Sequence, residues 1–147
     1  MQRKECERIT KFGFVLENNM VAPILSERTV KDHVTNVEIA WLLDQHRMTF
    51  AKSFGWWEIV SSGGRSGMLA SIDIAFLSEA WAADEVRVAT AIEAIRKRSY
   101  TLVQTMRQQE KIVAVARSIL VLVGPNGSEP LPQSARDLMG AGMLRHR

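Results

Sequence analysis

At 147 residues, with 46% apolar and 24% charged side chains, the chain is one domain's worth of globular sequence, large enough to bury a core without covalent staples. Its net charge of +3 comes from scattered basic residues, so duplex nucleic acid, which needs a concentrated positive face, is not an expected partner. The single cysteine, Cys6, excludes an intrachain disulfide and fits a reducing compartment.

The opening MQRKECERIT is charged and has no apolar h-region, so no signal peptide is expected and the reading is a cytoplasmic protein. No apolar run approaches the roughly 20 residues that a membrane span needs, so no membrane partner is expected. Two short apolar stretches, FGFVL and MVAPIL, follow without a clear period, and Pro23 marks an edge or a break. The first strong element is a helix beginning at Asn36. Thr35 and Glu38 have the spacing of a capping box, in which the hydroxyl accepts from the N3 amide and the carboxylate reaches back to the cap. Gly55 supplies the stop after about five turns. The first half reads Val37, Ile39, Ala40, Trp41, Leu42, Leu43, apolar nearly all round, which predicts a helix wrapped by other structure.

Past the loop SSGGRSG the period changes to two. Residues 68–77 alternate Leu69, Ser71 and Asp73 against Ala70, Ile72 and Ile74. Residues 85–95 set Val86, Val88, Thr90 and Ile92 on one face, with Arg87 and Glu93 on the other. SYTLVQTMRQ continues the alternation, and RQQEK predicts a hairpin turn into IVAVARSILVLVG. That last run is more apolar than one buried face requires, which points to a partner subunit. Pro125-Asn126-Gly127 ends it, and LPQSARDLMGAGML predicts a short helix. Long consecutive strands with short connections predict an antiparallel meander. The whole is an α+β single domain over 1–147, its sheet folded around one long helix.

Lys31, Asp32 and His33 stand at the mouth of the predicted helix, whose first amides carry no intrahelical partner and roughly half a positive charge. Such a terminus suits a developing oxyanion, with amides near Val34 to Val37 as donors. Asp32 and His33 are the nearest candidates for a base, and Glu27 and Asp44 come next. Each has a plainer reading beside it. Asp32 can serve the helix dipole, His33 can pack locally, Glu38 can be only the capping acid, and Asp44 can pair with Arg47. Arg96-Lys97-Arg98 is either a solvated turn or a corner for phosphates. The Trp56-Trp57 pair is expected in a core or interface. There is no P-loop, Rossmann glycine pattern, metal-ligand spacing or nucleophile elbow, so neither metal nor cofactor is expected.

HVTNVEIAWLLD, residues 33–44, resembles the helix-leading motif of the hot-dog acyl thioesterases of the 4-hydroxybenzoyl-CoA and acyl-ACP type, in which His-Val-Asn-Asn opens a Trp-bearing helix. His33, Val34, Asn36, Val37, Trp41 and Asp44 carry the match. IDIAFLSEAWAADEVRVATAIEAIRKRSYTLVQTM looks like the second half of that family, with its basic corner matched by Arg96, Arg98 and Ser99, and EPLPQSARDLM is similar to its closing segment. The likeness spans about residues 26–140. Thr29 occupies the position of the family's catalytic Asp, Lys31 that of an Asn, Thr35 that of the motif's first Asn, and Ile39 that of its Tyr. The resemblance implies a hot-dog fold and hydrolysis of acyl-CoA or acyl-ACP thioesters by a homodimer or homotetramer with joined sheets, without a cofactor. Asp32, the only carboxylate within four residues N-terminal to the helix start, is by proximity the expected general base or nucleophile in place of the acid missing at Thr29, with His33 positioning substrate or water. Thr29, Val34, Asn36, Arg98 and Ser99 would contact the substrate. Thr29 also favours a second reading, a non-catalytic acyl-thioester-binding protein of the same fold.

Overall fold

The computed structural model describes residues 1–22 and 32–145. In chain order the elements are α1 (Arg3–Thr10), β1 (Leu16–Met20), α2 (Asn36–Ser53), α3 (Trp56–Ser61), β2 (Ser66–Phe76), β3 (Val86–Ile95), β4 (Ser99–Gln108), β5 (Lys111–Gly124), β6 (Gly127–Ser128) and α4 (Gln133–Gly140). The helix expected at Asn36 forms with the capping box its spacing predicts. The Thr35 amide donates to Glu38 Oε1 at 2.8 Å, and the Glu38 amide donates to Thr35 Oγ1 at 3.2 Å. The helix closes at Phe54, and Gly55 takes a left-handed φ of 83° to turn the chain into α3. That conformation favours glycine because it lacks a Cβ.

The sheet is antiparallel in the order β1-β3-β4-β5-β2, with β6 paired to β5. The expected meander holds for β3, β4 and β5, joined across Gln109 (φ 55°) at the hairpin. It fails for β2, which lies at the far edge beside β5 rather than beside β3. The simple alternation expected in β2 also fails. A bulge at Ala70 lets Leu69 pair with Leu120 and Ser71 with Ile119, so Leu69, Ile72 and Ile74 share the helix-facing side.

α2 packs its Ile39, Leu42, Leu43 and Phe50 against one face of the sheet, where Val88, Ile92, Leu102, Met106 and Leu122 complete the core. It is not wrapped all round, since Val37 and Trp41 are 69% and 38% exposed. The opposite face of the sheet is covered by α1. Cys6 and Ile9 bury against Ala91, Val103 and Val115. Arg117 fixes this helix by donating to both Glu93 oxygens (2.8 and 2.9 Å) and to Glu5. The apolar excess of β5 is therefore met in part by a helix of its own chain.

A buried polar belt ties α2 to the sheet. Gln104 Nε2 donates to the Leu43 carbonyl (3.0 Å) and to Thr90 Oγ1 (2.9 Å). Thr90 Oγ1 lies 2.6 Å from His46 Nδ1, and His46 Nε2 lies 2.9 Å from Asn18 Oδ1. Arg47 Nη1 donates to Gln104 Oε1 (3.2 Å) and Nη2 to Asp44 Oδ1 (3.2 Å). The two ring nitrogens of His46 thus meet only neutral partners, the Thr90 hydroxyl and the Asn18 side-chain oxygen. Among the described residues no carboxylate is bonded to the ring, so burial favours the neutral imidazole.

Candidate active site

The start of α2 is held by a short bridge to the loop before β3. The Val34 amide donates to the Ala80 carbonyl (2.7 Å), and the Ala82 amide donates to the Asp32 carbonyl (2.9 Å). Gln108 at the end of β4 clamps that loop, accepting from the Trp81 amide (2.7 Å) and donating to its carbonyl (2.8 Å). His33 and Trp81 face each other across the bridge, ring centroids 4.0 Å apart. His33 Nδ1 lies 3.3 Å from Glu79 Oε2.

Beside this bridge opens a cleft of about 380 Å³, lined by His33, Val34, Asn36, Ile39, Phe76 and the segment Leu77–Glu79. Asp32 adjoins it but is not among the lining residues. The amides expected to receive an oxyanion are reduced in number. That of Val34 is taken by Ala80, that of Thr35 by Glu38, and that of Glu38 by Thr35. The Asn36 and Val37 amides make no protein hydrogen bond among the described residues, and they lie on the first turn. An acceptor placed there meets two N–H donors and the positive end of an 18-residue helix.

The other expected residues sit elsewhere. Thr29, Glu27 and Lys31 lie outside the described residues. Glu38 is fully buried and serves the cap. Asp44 pairs with Arg47 on the same helix, as expected, about 12 Å along the axis from Asn36. Arg96, Arg98 and Ser99 form the β3–β4 corner, at the opposite end of β4 from Gln108. Ten residues of strand place them about 30 Å from the His33 bridge in one chain. The Arg98 guanidinium is engaged there, donating to the Ser128 carbonyl at 2.9 Å. Glu79, Trp81 and Gln108 were missed by the sequence reading. No local period marks them, and they meet α2 only through pairings of distant segments.

Farther along α2, Arg47, Met48 and Ala51 form one wall of a second cavity of about 150 Å³, closed by Trp56 and Trp57 and by Gly67, Tyr100 and Leu120 of the sheet. Burial lowers the Arg47 pKa, opposed by Asp44, and raises that of the Tyr100 hydroxyl. Trp56 belongs to the core, as one of the two expected readings had it.

Comparison with known proteins is consistent with this architecture. A family model described as the thioesterase-like superfamily matches residues 29–137. A Pseudomonas aeruginosa protein superposes with a TM-score of 0.74 at 17% identity, covering 91% of this chain and 95% of its own. A 1,4-dihydroxy-2-naphthoyl-CoA thioesterase from Synechocystis gives 0.71 at 17% identity over 84% and 94% of the two chains. A Thermus thermophilus thioesterase complexed with coenzyme A and zinc gives 0.73 at 18% identity over 88% and 94%. Sequence comparison with curated proteins finds no match.

Proposed function

This chain belongs to the thioesterase-like superfamily, and from that premise we propose that it hydrolyses acyl thioesters at the cleft beside the α2 N-terminus. The observation that carries the reading is that Asn36, whose amide is unbonded, and His33 line one cleft, with the unbonded Val37 amide next along the first turn of the helix. The thioester carbonyl would accept from the amides, which match the charge that develops on its oxygen. With Nδ1 directed at Glu79, His33 keeps Nε2 to take a proton from water, and the stack on Trp81 limits the ring's rotation. Asp32, expected from sequence as base or nucleophile, is the second candidate, one residue behind the cleft. We assign Val34 and Asn36 to the substrate-facing wall. Coenzyme A is the carrier favoured over acyl carrier protein, because two of the similar structures are named for it.

We also propose that the working form is a homodimer joined through β2. This edge strand leaves Met68, Leu69, Ile72 and Phe76 between 38% and 51% exposed, next to Leu77, and α2 adds exposed Val37 and Trp41. A long edge with apolar side chains and unpaired backbone groups is suited to pairing with a second copy.

Release of free thiol from acyl-CoAs of varied chain length tests the assignment. His33→Ala is expected to lose at least about two decades of kcat, the range for a general base, while Asp32→Asn stays within about tenfold of the parent. The reverse ranking would transfer the role to Asp32. A parent chain that binds acyl-CoA without releasing thiol would leave only the binding-protein reading.

A further inference from the structure

We propose that Gln108 is a positioning residue for the candidate site. Its carboxamide takes the place of a missing strand beside the Trp81 loop and, through Trp81, sets the direction of the His33 ring and thereby kcat. The effect on kcat rests on the hydrolase reading; the hold on the ring does not.

The loop between β2 and β3 meets the segment before α2 as a ladder one rung long. The Val34 amide donates to the Ala80 carbonyl and the Ala82 amide to the Asp32 carbonyl. His33 and Trp81 therefore face each other as a non-hydrogen-bonded antiparallel pair, the kind that brings side chains closest. In such a pair the middle residue turns its own N–H and C=O to the opposite edge. Among the described residues no strand lies along that edge of Trp81. Gln108 fills it with one acceptor and one donor, as a peptide group would. Oε1 lies 2.7 Å from the Trp81 amide and Nε2 lies 2.8 Å from its carbonyl. Nε2 also donates to the Asp84 carbonyl at 3.3 Å.

The side chain is buried, so losing it would leave both Trp81 backbone groups without their partner. Only a glutamine meets all three needs at this reach. Asparagine is one methylene shorter, methionine bonds nothing, and an ionised glutamate would set an acceptor against two carbonyls.

The mounting is stiff. Gln108 ends β4 at a two-residue hairpin whose Gln109 holds a left-handed φ of 55°, a conformation that costs any residue but glycine. The same hairpin anchors the front of the loop. The Leu77 and Ser78 amides donate to the Val113 carbonyl (2.9 and 3.3 Å), and Ser78 Oγ donates to the Ile112 carbonyl at 2.7 Å. Glu79 and Trp81, the two partners of the His33 ring, are thus carried between two anchors on one hairpin. Gln108 is not among the residues lining the cleft, so its effect belongs in kcat and not in substrate binding.

Gln108→Met keeps the length of the side chain and removes all three bonds. It should lower kcat for acyl-CoA about ten- to a hundredfold, the cost of misplacing a reacting group by about 1 Å, with KM within about threefold of the parent. In a His33→Ala background it should cost nothing further, because the loss passes through that ring. Gln108→Glu should show the same signature. The ring reports without any substrate. The Trp81 indole, 4.0 Å away, displaces the His33 ring-proton resonances, which are assigned by their absence in His33→Ala. Both variants should return them towards the positions of an unstacked histidine. If neither variant folds, the Trp81 amide of the parent decides, since a proton held by Gln108 should exchange as slowly as those of the sheet. Parent-like kcat in either variant, a change in KM alone, an equal loss in the His33→Ala background, unmoved ring resonances, or a fast-exchanging Trp81 amide would each overturn the proposal. A parent chain that releases no thiol would overturn the hydrolase reading and the kcat clause with it, and the ring resonances would still judge the hold of Gln108 on His33.

Discussion

Acidification should destabilise this protein through one residue, His46. Burial lowers its pKa from 6.5 to about 4, and its two ring nitrogens are bonded only to neutral partners, Thr90 and Asn18. Protonating the ring would bury a charge whose two nitrogens face only a hydroxyl and an amide oxygen. The folded state therefore keeps His46 neutral where the unfolded chain takes up a proton. The stability is fully present above pH 6.5 and is lost as pH falls from there towards 4. A difference of about 2.5 units amounts to about 3 kcal/mol, lost at about 1.4 kcal/mol per pH unit within that window. Against a usual total of about 5–15 kcal/mol this is a large share. Urea denaturation of the parent and of His46→Gln at pH 6.5 and pH 5 isolates the effect. The parent should lose about 2 kcal/mol more than the variant between those points. Should the variant not fold, the His46 ring resonances of the parent should hold steady down to about pH 5. Equal slopes for the two proteins, or a ring titrating near 6.5, would refute the reasoning.

Thr35→Ala should cost about 1 kcal/mol, seen as a fall in Tm of roughly 2–4 °C, and adding Glu38→Ala should cost less than the sum because both act in one capping box. Arg98→Ala is expected to raise KM for acyl-CoA and leave kcat near the parent value, the pattern of lost uniform binding; an unchanged KM returns Arg98 to its bond with the Ser128 carbonyl. Ile72→Lys on the exposed edge of β2 should convert a dimer at micromolar concentration into a monomer by light scattering, and a parent chain already monomeric would defeat the dimer proposal.

The parts legible in the sequence are those whose cause is local. The Thr35–Glu38 box, the Gly55 stop and the alternation in β3 to β5 each depend on residues a few positions apart, and the structure contains them, with the alternation broken by bulges at Glu93 and Val113. α1 was not read because its burial rests on only Cys6 and Ile9, too few for a period. The place of β2 was not read because strand order is set by which edge buries its apolar side, not by neighbours in the chain. The bulge at Ala70 then moved Leu69 onto the face that plain alternation assigns to Ala70. His46 drew no notice as a lone histidine on an apolar helix, because its partners come from β1 and β3.

The site divides along the same line. His33 and Asn36 follow from the helix start, but Glu79 reaches His33 only because Gln108 fixes the Trp81 loop against the end of β4. The same geometry constrains the two halves of the substrate-binding assignment. A coenzyme A ester with its carbonyl at Asn36 and its phosphates at Arg98 would have to cross about 30 Å of sheet within one chain. Both contacts hold together only if a second copy presents its own corner to this cleft. Arg98→Ala mixed with His33→Ala subunits gives the deciding measurement. If phosphates bind in trans, a mixed dimer regains one site with both groups intact, and its KM at that site returns to the parent value. If the contacts were confined to one chain, no site in the mixture would combine His33 with Arg98, and a parent-like KM would be absent.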